Sequence, residues 1–303
     1  MKILMSGGSG LIGGAFLQEA LKHGHQITVL SRNPQEHPEL SSQVSVVRWD
    51  SRTTDGWQQV MDEMDAVINL AGANIGEGRW TAGRKLEIRE SRIRAGAALT
   101  QAVQASRRRP EVFIQASAVG YYGDTGDQIV DEESPAATDY LGRLCVDWEN
   151  STRPVESLGV RRVVIRTGLV LTKSSGALGK LLLQYRLFAG GPLGSGEQWW
   201  PWIHLQDQAR AMLYLIENRE AHGEFNLCAP APARMKEVGK TLARVIKKPY
   251  WLPVPAFALK IALGEMSKIV FEGQRAIPRR LLKQGYQFIH PDLEAALSEI
   301  FNP

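Results

Sequence analysis

Residues 2–14, KILMSGGSGLIGG, constrain this chain more than any other stretch. Ile3, Leu4 and Met5 form a short apolar run of the kind that makes a buried strand. Glycines at 7, 10 and 13 follow, and Leu11, Ile12, Ala15, Phe16 and Leu21 then recur at helical spacing. A strand, a tight turn and a helix start aim backbone N–H groups, those of Leu11 and Ile12 among them, at one point. The positive end of the helix dipole points there too, which suits a pyrophosphate. Gly7 serves the turn, Gly10 lets the chain approach phosphate, and Gly13 lets the helix pack close to the sheet. An ordinary strand-to-helix turn shares this outline, so the surroundings must decide.

A second strand over 26–30 begins after Gly24-His25, and the ribose-reading position, about 20 residues beyond the motif, falls at Ser31-Arg32. An acidic residue there would hold the 2′-hydroxyl of NAD. A hydroxyl and a guanidinium suit a 2′-phosphate instead, so the expected cofactor is NADP(H). The alternative for Arg32 is a solvated surface residue. Asp50, just past a third apolar run at 44–47, either accepts from the adenine amino group or caps the next segment. The run 66–72, AVINLAG, reads as a fourth strand whose small exit (Leu70, Ala71, Gly72) lets backbone pass close to a ribose. A long helix is expected over about 81–105. Glu87, Ser91 and Arg92 share one face of it, either reaching the cofactor or forming a salt-bridged surface.

Strands at 111–116 and 160–166 alternate with helices, which predicts an α/β fold of Rossmann type: a doubly wound parallel sheet with ligands beyond the strand ends. The texture changes near residue 171, so the expected division is a dinucleotide-binding domain over 1–170 and a smaller C-terminal α+β lobe over 171–303. Trp199, Trp200 and Trp202 are either core or the wall of a substrate pocket. The 303 residues carry 36 basic and 32 acidic side chains and no basic stripe with interleaved aromatics, so no nucleic-acid partner is expected. Cys145 and Cys228 fit neither a disulfide scaffold nor a metal site, which suits a reducing compartment. Met1 lies one residue before the first strand and no run of 18 apolar residues occurs. The expectation is a cytoplasmic protein with no membrane partner.

Together, GxxGxxG at 7–13, NLAG at 69–72 and SAVGYYG at 117–123 resemble the extended short-chain dehydrogenase/reductases, relatives of nucleotide-sugar epimerases and dehydratases. GANI (72–75), RTGLVL (166–171), GSGEQWWPWIH (194–204), NLCAP (226–230) and LGE (263–265) resemble, more narrowly, an atypical epimerase-family branch. That resemblance covers the whole chain, including a family-specific segment at about 250–300. It implies an NADP(H)-binding Rossmann domain, an undefined small-molecule substrate, and a monomer or a homodimer paired through helices at 81–105 and 139–158.

One departure stands out. The superfamily's acid/base is the tyrosine of Tyr-x-x-x-Lys, whose lysine lowers the phenol pKa; here the run is Tyr140-Leu141-Gly142-Arg143-Leu144. Leu144 neither donates nor carries charge, so the dyad is not carried over, and Tyr140 is expected to titrate near its ordinary value of about 10. Ser117 matches the superfamily's serine. With Tyr121, Tyr122 and His204 it forms the candidate proton-transfer set, and Arg166 at the end of the sixth strand is a candidate for the cofactor. The plainer reading makes His204 and Asp207 a helix-entry pair and Ser117 a turn residue. The expected function is an NADP(H)-dependent oxidoreductase or epimerase. The alternative is a non-catalytic NADP(H)-binding regulator, in keeping with division-related labels among such proteins.

Overall fold

The structure is a computed structural model and describes residues 1–36, 44–173 and 175–302. In chain order its main elements begin with β1 (Lys2–Ser6), α1 (Leu11–Lys22), β2 (Gln26–Ser31), β3 (Ser45–Arg48) and β4 (Ala66–Asn69). Next come α2 (Ala82–Ala105), β5 (Val112–Ala118), α3 (Tyr140–Asn150), β6 (Arg161–Thr167) and α4 (Gly176–Arg186). The chain closes with α5 (Leu205–Glu217), β7 (Gly223–Leu227), α6 (Met235–Val245), α7 (Ala256–Leu263) and α8 (Leu293–Phe301).

The seven strands form one parallel sheet in the order β7-β6-β5-β4-β1-β2-β3. Met5 lies level with Val29 on one side and Ile68 on the other. Strand order reverses between β1 and β4, and ligands of such sheets settle in the crevice beyond that point.

The apolar runs of the strands are buried on both faces, as a parallel sheet requires. Ile3 and Met5 pack with Phe16, Leu17 and Ala20 of α1 and Met212 and Leu215 of α5. The intervening Leu4 points the other way, to Val67, Phe113 and the α2 residues Ala95, Leu99 and Val103. Period-two alternation in β1 therefore supplies both layers.

Beyond residue 171 the chain returns to the sheet, contributing α5 and the edge strand β7. Away from the sheet, Leu178, Leu181 and Tyr185 of α4 pack with Trp200, Trp202, Val238 and Leu242 of α6 and Leu297 of α8. Trp200 and Trp202 are thus core, whereas Trp199 is half-buried between the guanidiniums of Arg234 and Arg275, 4.7 and 4.6 Å from its ring. Among the described residues no helix is long and apolar enough to cross a membrane.

Candidate functional site

The β1–α1 turn shows why glycine is required. Gly7 has φ +76°, and a Cβ on Gly13 would stand 2.2 Å from the Gly7 carbonyl oxygen. The Gly10 N–H donates to that same oxygen at 3.1 Å, closing the turn. Helix α1 has no side-chain cap and no acidic residue in its first turn, so its N-terminal N–H groups and dipole remain available to an anion.

Above this turn lies a cleft of about 810 Å³. Gly7 and Gly10 form its floor, Ser31, Arg32, Asp50 and Arg52 one end, and Leu70, Ala71, Gly72 and Glu87 the opposite wall. Leu11, Ile12 and Gly13 belong to the turn beneath it and do not line it. Arg32 is exposed, and among the described residues its guanidinium has no hydrogen bond or ion pair. The Ser31 hydroxyl accepts from the Asn33 N–H at 3.2 Å, leaving its proton to donate. Asp50 takes the capping role: Oδ1 accepts from the N–H groups of Arg52 and Thr53 at 2.8 Å each, and Oδ2 accepts from the Thr53 hydroxyl. Those bonds, led by the Thr53 N–H, hold its carboxyl below the usual range.

Sequence reasoning missed the polar row that fixes this wall. Ser6 donates to Asn69 Oδ1 at 2.9 Å, Asn69 Nδ2 donates to Gln115 at 3.0 Å, and all three side chains are buried across the ends of β1, β4 and β5. Paired buried amides of this kind fix strand ends, because leaving one unmet costs about 1–3 kcal/mol.

Two cations expected at the cofactor lie elsewhere. Arg92 is buried under the wall, donating from Nη1 to the carbonyls of Ala73 and Ile88 at 3.0 Å and stacking 4.7 Å from Trp148. Gly72 passes close over it: a Cβ there would fall 3.0 Å from the guanidinium carbon, so a larger residue would have to push the guanidinium aside. Glu87 does line the cleft, but pairs with Arg84 at 2.8 Å.

Arg166 is held at β5, β6 and α3 by Glu149: Nε reaches Oε1 at 2.9 Å and Nη2 reaches Oε2 at 3.0 Å. Burial opposes its charge, yet the Glu149 carboxylate more than compensates and raises its pKa. Ser117 donates to the same Oε1 at 2.6 Å. Tyr122 receives a bond from Arg166 Nη1 at 3.2 Å and donates to Asn226 at 2.7 Å, while Arg166 stacks 3.5 Å from the Tyr121 ring. The network reaches further through Glu132, which accepts from the N–H groups of Asn226 and Arg280. Burial raises the phenol pKa of both Tyr121 and Tyr122. Glu149 and Glu132 lie in none of the motifs that carry the resemblance; Asn226 opens the NLCAP run at 226–230, which was the one available pointer to this network.

Tyr140 turns to α2, donating to the Lys85 carbonyl at 3.2 Å beneath the edge of Trp80. Its pKa is raised by burial, where the sequence suggested an unshifted phenol. Leu144 is buried with Trp80, Ile88 and Met266. His204, expected near the reaction, instead caps α5. Its Nδ1 accepts from the Gln206 N–H at 3.2 Å, so Nε2 carries the proton and donates to Glu299 at 2.9 Å. It lines a separate cavity with Lys22 and Lys173, which shares no lining residue with the cleft above the β1–α1 turn. Asp207 accepts from the N–H groups of Ile289 and His290 at 2.8 Å, so the helix-entry reading holds for both residues.

Residues 3–228 match the family model described as NAD dependent epimerase/dehydratase family, and residues 254–300 match a domain of unknown function, DUF1731. The epimerase family protein YfhF of Bacillus subtilis is 40% identical over 301 residues, 99% of this chain and 98% of the relative. The crystal structure of human epimerase family protein SDR39U1 with NADPH has a TM-score of 0.91 at 34% identity, covering 100% of both chains. A UDP-glucuronic acid 4-epimerase from Bacillus cereus, solved with UDP-glucuronic acid and NAD, has a TM-score of 0.77 at 17% identity, over 100% of this chain and 98% of that one. The last likeness is one of fold.

Proposed function

The chain belongs to the NAD dependent epimerase/dehydratase family, and from that premise we propose that it binds NADP(H) and acts as an oxidoreductase or epimerase on a small molecule. The observation that carries the cofactor choice is the Arg32 guanidinium at the end of β2, which has no partner among the described residues and lies beside a serine hydroxyl free to donate. No acidic residue occupies that position. Arg52, on the next strand exit, lines the same end of the cleft. The neighbour solved with NADPH supports this choice, although other proteins of this fold were solved with NAD.

In this reading the Gly7–Gly13 turn and the N-terminus of α1 hold the diphosphate, Leu70–Gly72 line the ribose, and Ser31 and Arg32 take the 2′-phosphate. The nicotinamide, when bound, supplies hydride chemistry. Of the two adjacent tyrosines, Tyr121 is the more exposed and Tyr122 is committed to Asn226, so Tyr121 is the proton donor. Ser117 gives its proton to Glu149 and offers substrate only its lone pairs.

Tryptophan fluorescence tests the cofactor reading, because Trp49 lines the cleft and Trp57 lies 5.6 Å from it. NADPH is expected to quench at lower concentration than NADH, and a response to neither overturns the proposal. Turnover of NADPH across a carbonyl library then tests the reaction. A second reading, a cofactor-loaded regulator without turnover, is favoured by the buried Leu144 and the α2-facing Tyr140. It predicts binding with no consumption of NADPH.

A further inference from the structure

Six large apolar side chains, Leu183, Leu187, Phe188, Trp251, Phe257 and Ile261, are each 58–70% exposed, and all come from α4 with the two residues after it or from the segment leading into and forming α7. The two segments are fastened to one another at one end. Trp251 Nε1 donates to the Phe188 carbonyl at 2.9 Å, and the N–H groups of Trp251 and Leu252 donate to Gly190. At the other end both are fastened to one loop: Lys180 of α4 donates to Gly76, and Arg79 donates to the carbonyls of Ile261 and Ala262 in α7. Between these two ties they run in opposite directions, as the two edges of one strip.

The charge on this strip has a single sign. Residues 175–196 contain Lys180 and Arg186, and residues 246–264 contain Lys247, Lys248 and Lys260; neither stretch holds an aspartate or glutamate. Among the described residues none of these five cations forms an ion pair. Lys248 instead lies 3.8 Å over the Phe188 ring. The flanking carboxylates are engaged elsewhere, Glu265 with Lys85 at 2.6 Å and Glu77 with Asn74 at 2.8 Å.

We propose that this α4/α7 face docks on an anionic lipid bilayer surface. Apolar and tryptophan side chains beside uncompensated lysines and arginines are what an interfacial element needs: the rings enter the headgroup boundary while the cations meet lipid phosphate. A second copy fits poorly, because a two-fold contact sets the patch against itself and would bring like charges together with no carboxylate between them. A peptide helix needs a groove, whereas α7 has no buried residue and stands proud of the body. The sequence expectation of no membrane partner came from the lack of a spanning run, which bears on crossing and not on adsorption. Lys180 and Arg79 hold the 76–79 loop, whose Glu77 lines the cofactor cleft, so docking would bring the cleft rim to the lipid surface.

The test uses the full chain and vesicles of phosphatidylcholine with or without phosphatidylglycerol. Co-sedimentation with the anionic vesicles and a blue shift of tryptophan emission are expected, the shift being lost in Trp251→Phe while sedimentation persists. The double variant Phe257→Asp/Ile261→Asp should partition at least about tenfold more weakly. Its thermal melting and NADPH quenching should be unchanged, since both side chains are exposed and lie outside the cleft. Lys247→Glu/Lys260→Glu should lose the preference for anionic lipid. Equal sedimentation with both vesicle types, no sedimentation, unaltered partitioning of Phe257→Asp/Ile261→Asp, or a dimer in solution that this variant dissociates would each overturn the proposal. Because NADPH binding is read in the same samples, failure of docking is distinguishable from failure of the cofactor reading.

Discussion

Ser117 donates to Glu149 at 2.6 Å, and that carboxylate is also the bidentate partner of Arg166. One buried acid thus fixes the serine at the end of β5, the cation of β6 and, through Arg166, both tyrosines that follow Ser117. The arrangement makes Glu149 the support on which the candidate reaction site rests.

Replacing Glu149 with glutamine keeps the shape but leaves the Arg166 charge buried without its counterion. The expected loss is about 3 kcal/mol, the usual cost of breaking one side of a buried pair. Urea unfolding measures it. Glu149→Gln/Arg166→Met should lose less than the sum of the two single changes, and strict additivity would show that the pair is not coupled.

Arg32→Ala should weaken NADPH binding by roughly 1.5–3 kcal/mol, the range for a hydrogen bond to a charged group, and leave NADH binding nearly unchanged. Fluorescence titration with both nucleotides checks this. Equal losses for the two would remove Arg32 from the 2′-phosphate.

Gly13→Ala places a methyl group 2.2 Å from the Gly7 carbonyl oxygen, where only backbone can yield. Overpacking of this kind costs about 1–3 kcal/mol, and here it also deforms the anion-binding turn. Melting temperature and NADPH affinity should fall together, whereas Gly14→Ala, with nothing within 4 Å of its Cβ, should change neither much.

Leu144→Lys restores the superfamily pattern in sequence only. The site is walled by Trp80, Ile88 and Met266, and Tyr140 faces the Lys85 carbonyl. The ammonium would be desolvated with no counterion, so stability should drop by several kcal/mol or the lysine should titrate as a neutral amine. Turnover of sugar nucleotides by this variant would contradict the site geometry.

His204 has its pKa lowered by burial first and by His290 second. A base whose folded pKa lies below its unfolded value binds more protons when unfolded. Its contribution to stability is therefore complete above about pH 6.5 and is lost as pH falls through that value toward the folded pKa. Melting temperatures from pH 8 down to 5 should fall less steeply for His204→Asn, which retains a helix cap, than for the parent. Identical pH profiles would show that His204 is not the titrating group.

The residues of the opening turn stated their own roles, because a positive φ at Gly7 and a close approach at Gly13 are constraints on backbone that neighbouring residues impose. The alternation of Ile3, Leu4 and Met5 likewise announced a strand buried on both faces. The cleft wall at Leu70–Gly72 and the arginine at the end of β2 followed from the same local grammar, since each is one strand exit away from a recognisable run.

Side-chain partnership was decided elsewhere. Arg166 and Glu149 are 17 residues apart, His204 and Glu299 95, Ser6 and Asn69 63. Nothing in one segment specifies which strand end or helix face the other will present. Arg166 read as a cofactor ligand until the packing of α3 against β5 and β6 gave it a buried carboxylate, and His204 read as an acid/base until α5 used it as a cap. Backbone geometry is set by a residue and its neighbours along the chain. The fate of a charge is set by what the fold brings within about 3 Å of it, and only tertiary structure assigns that.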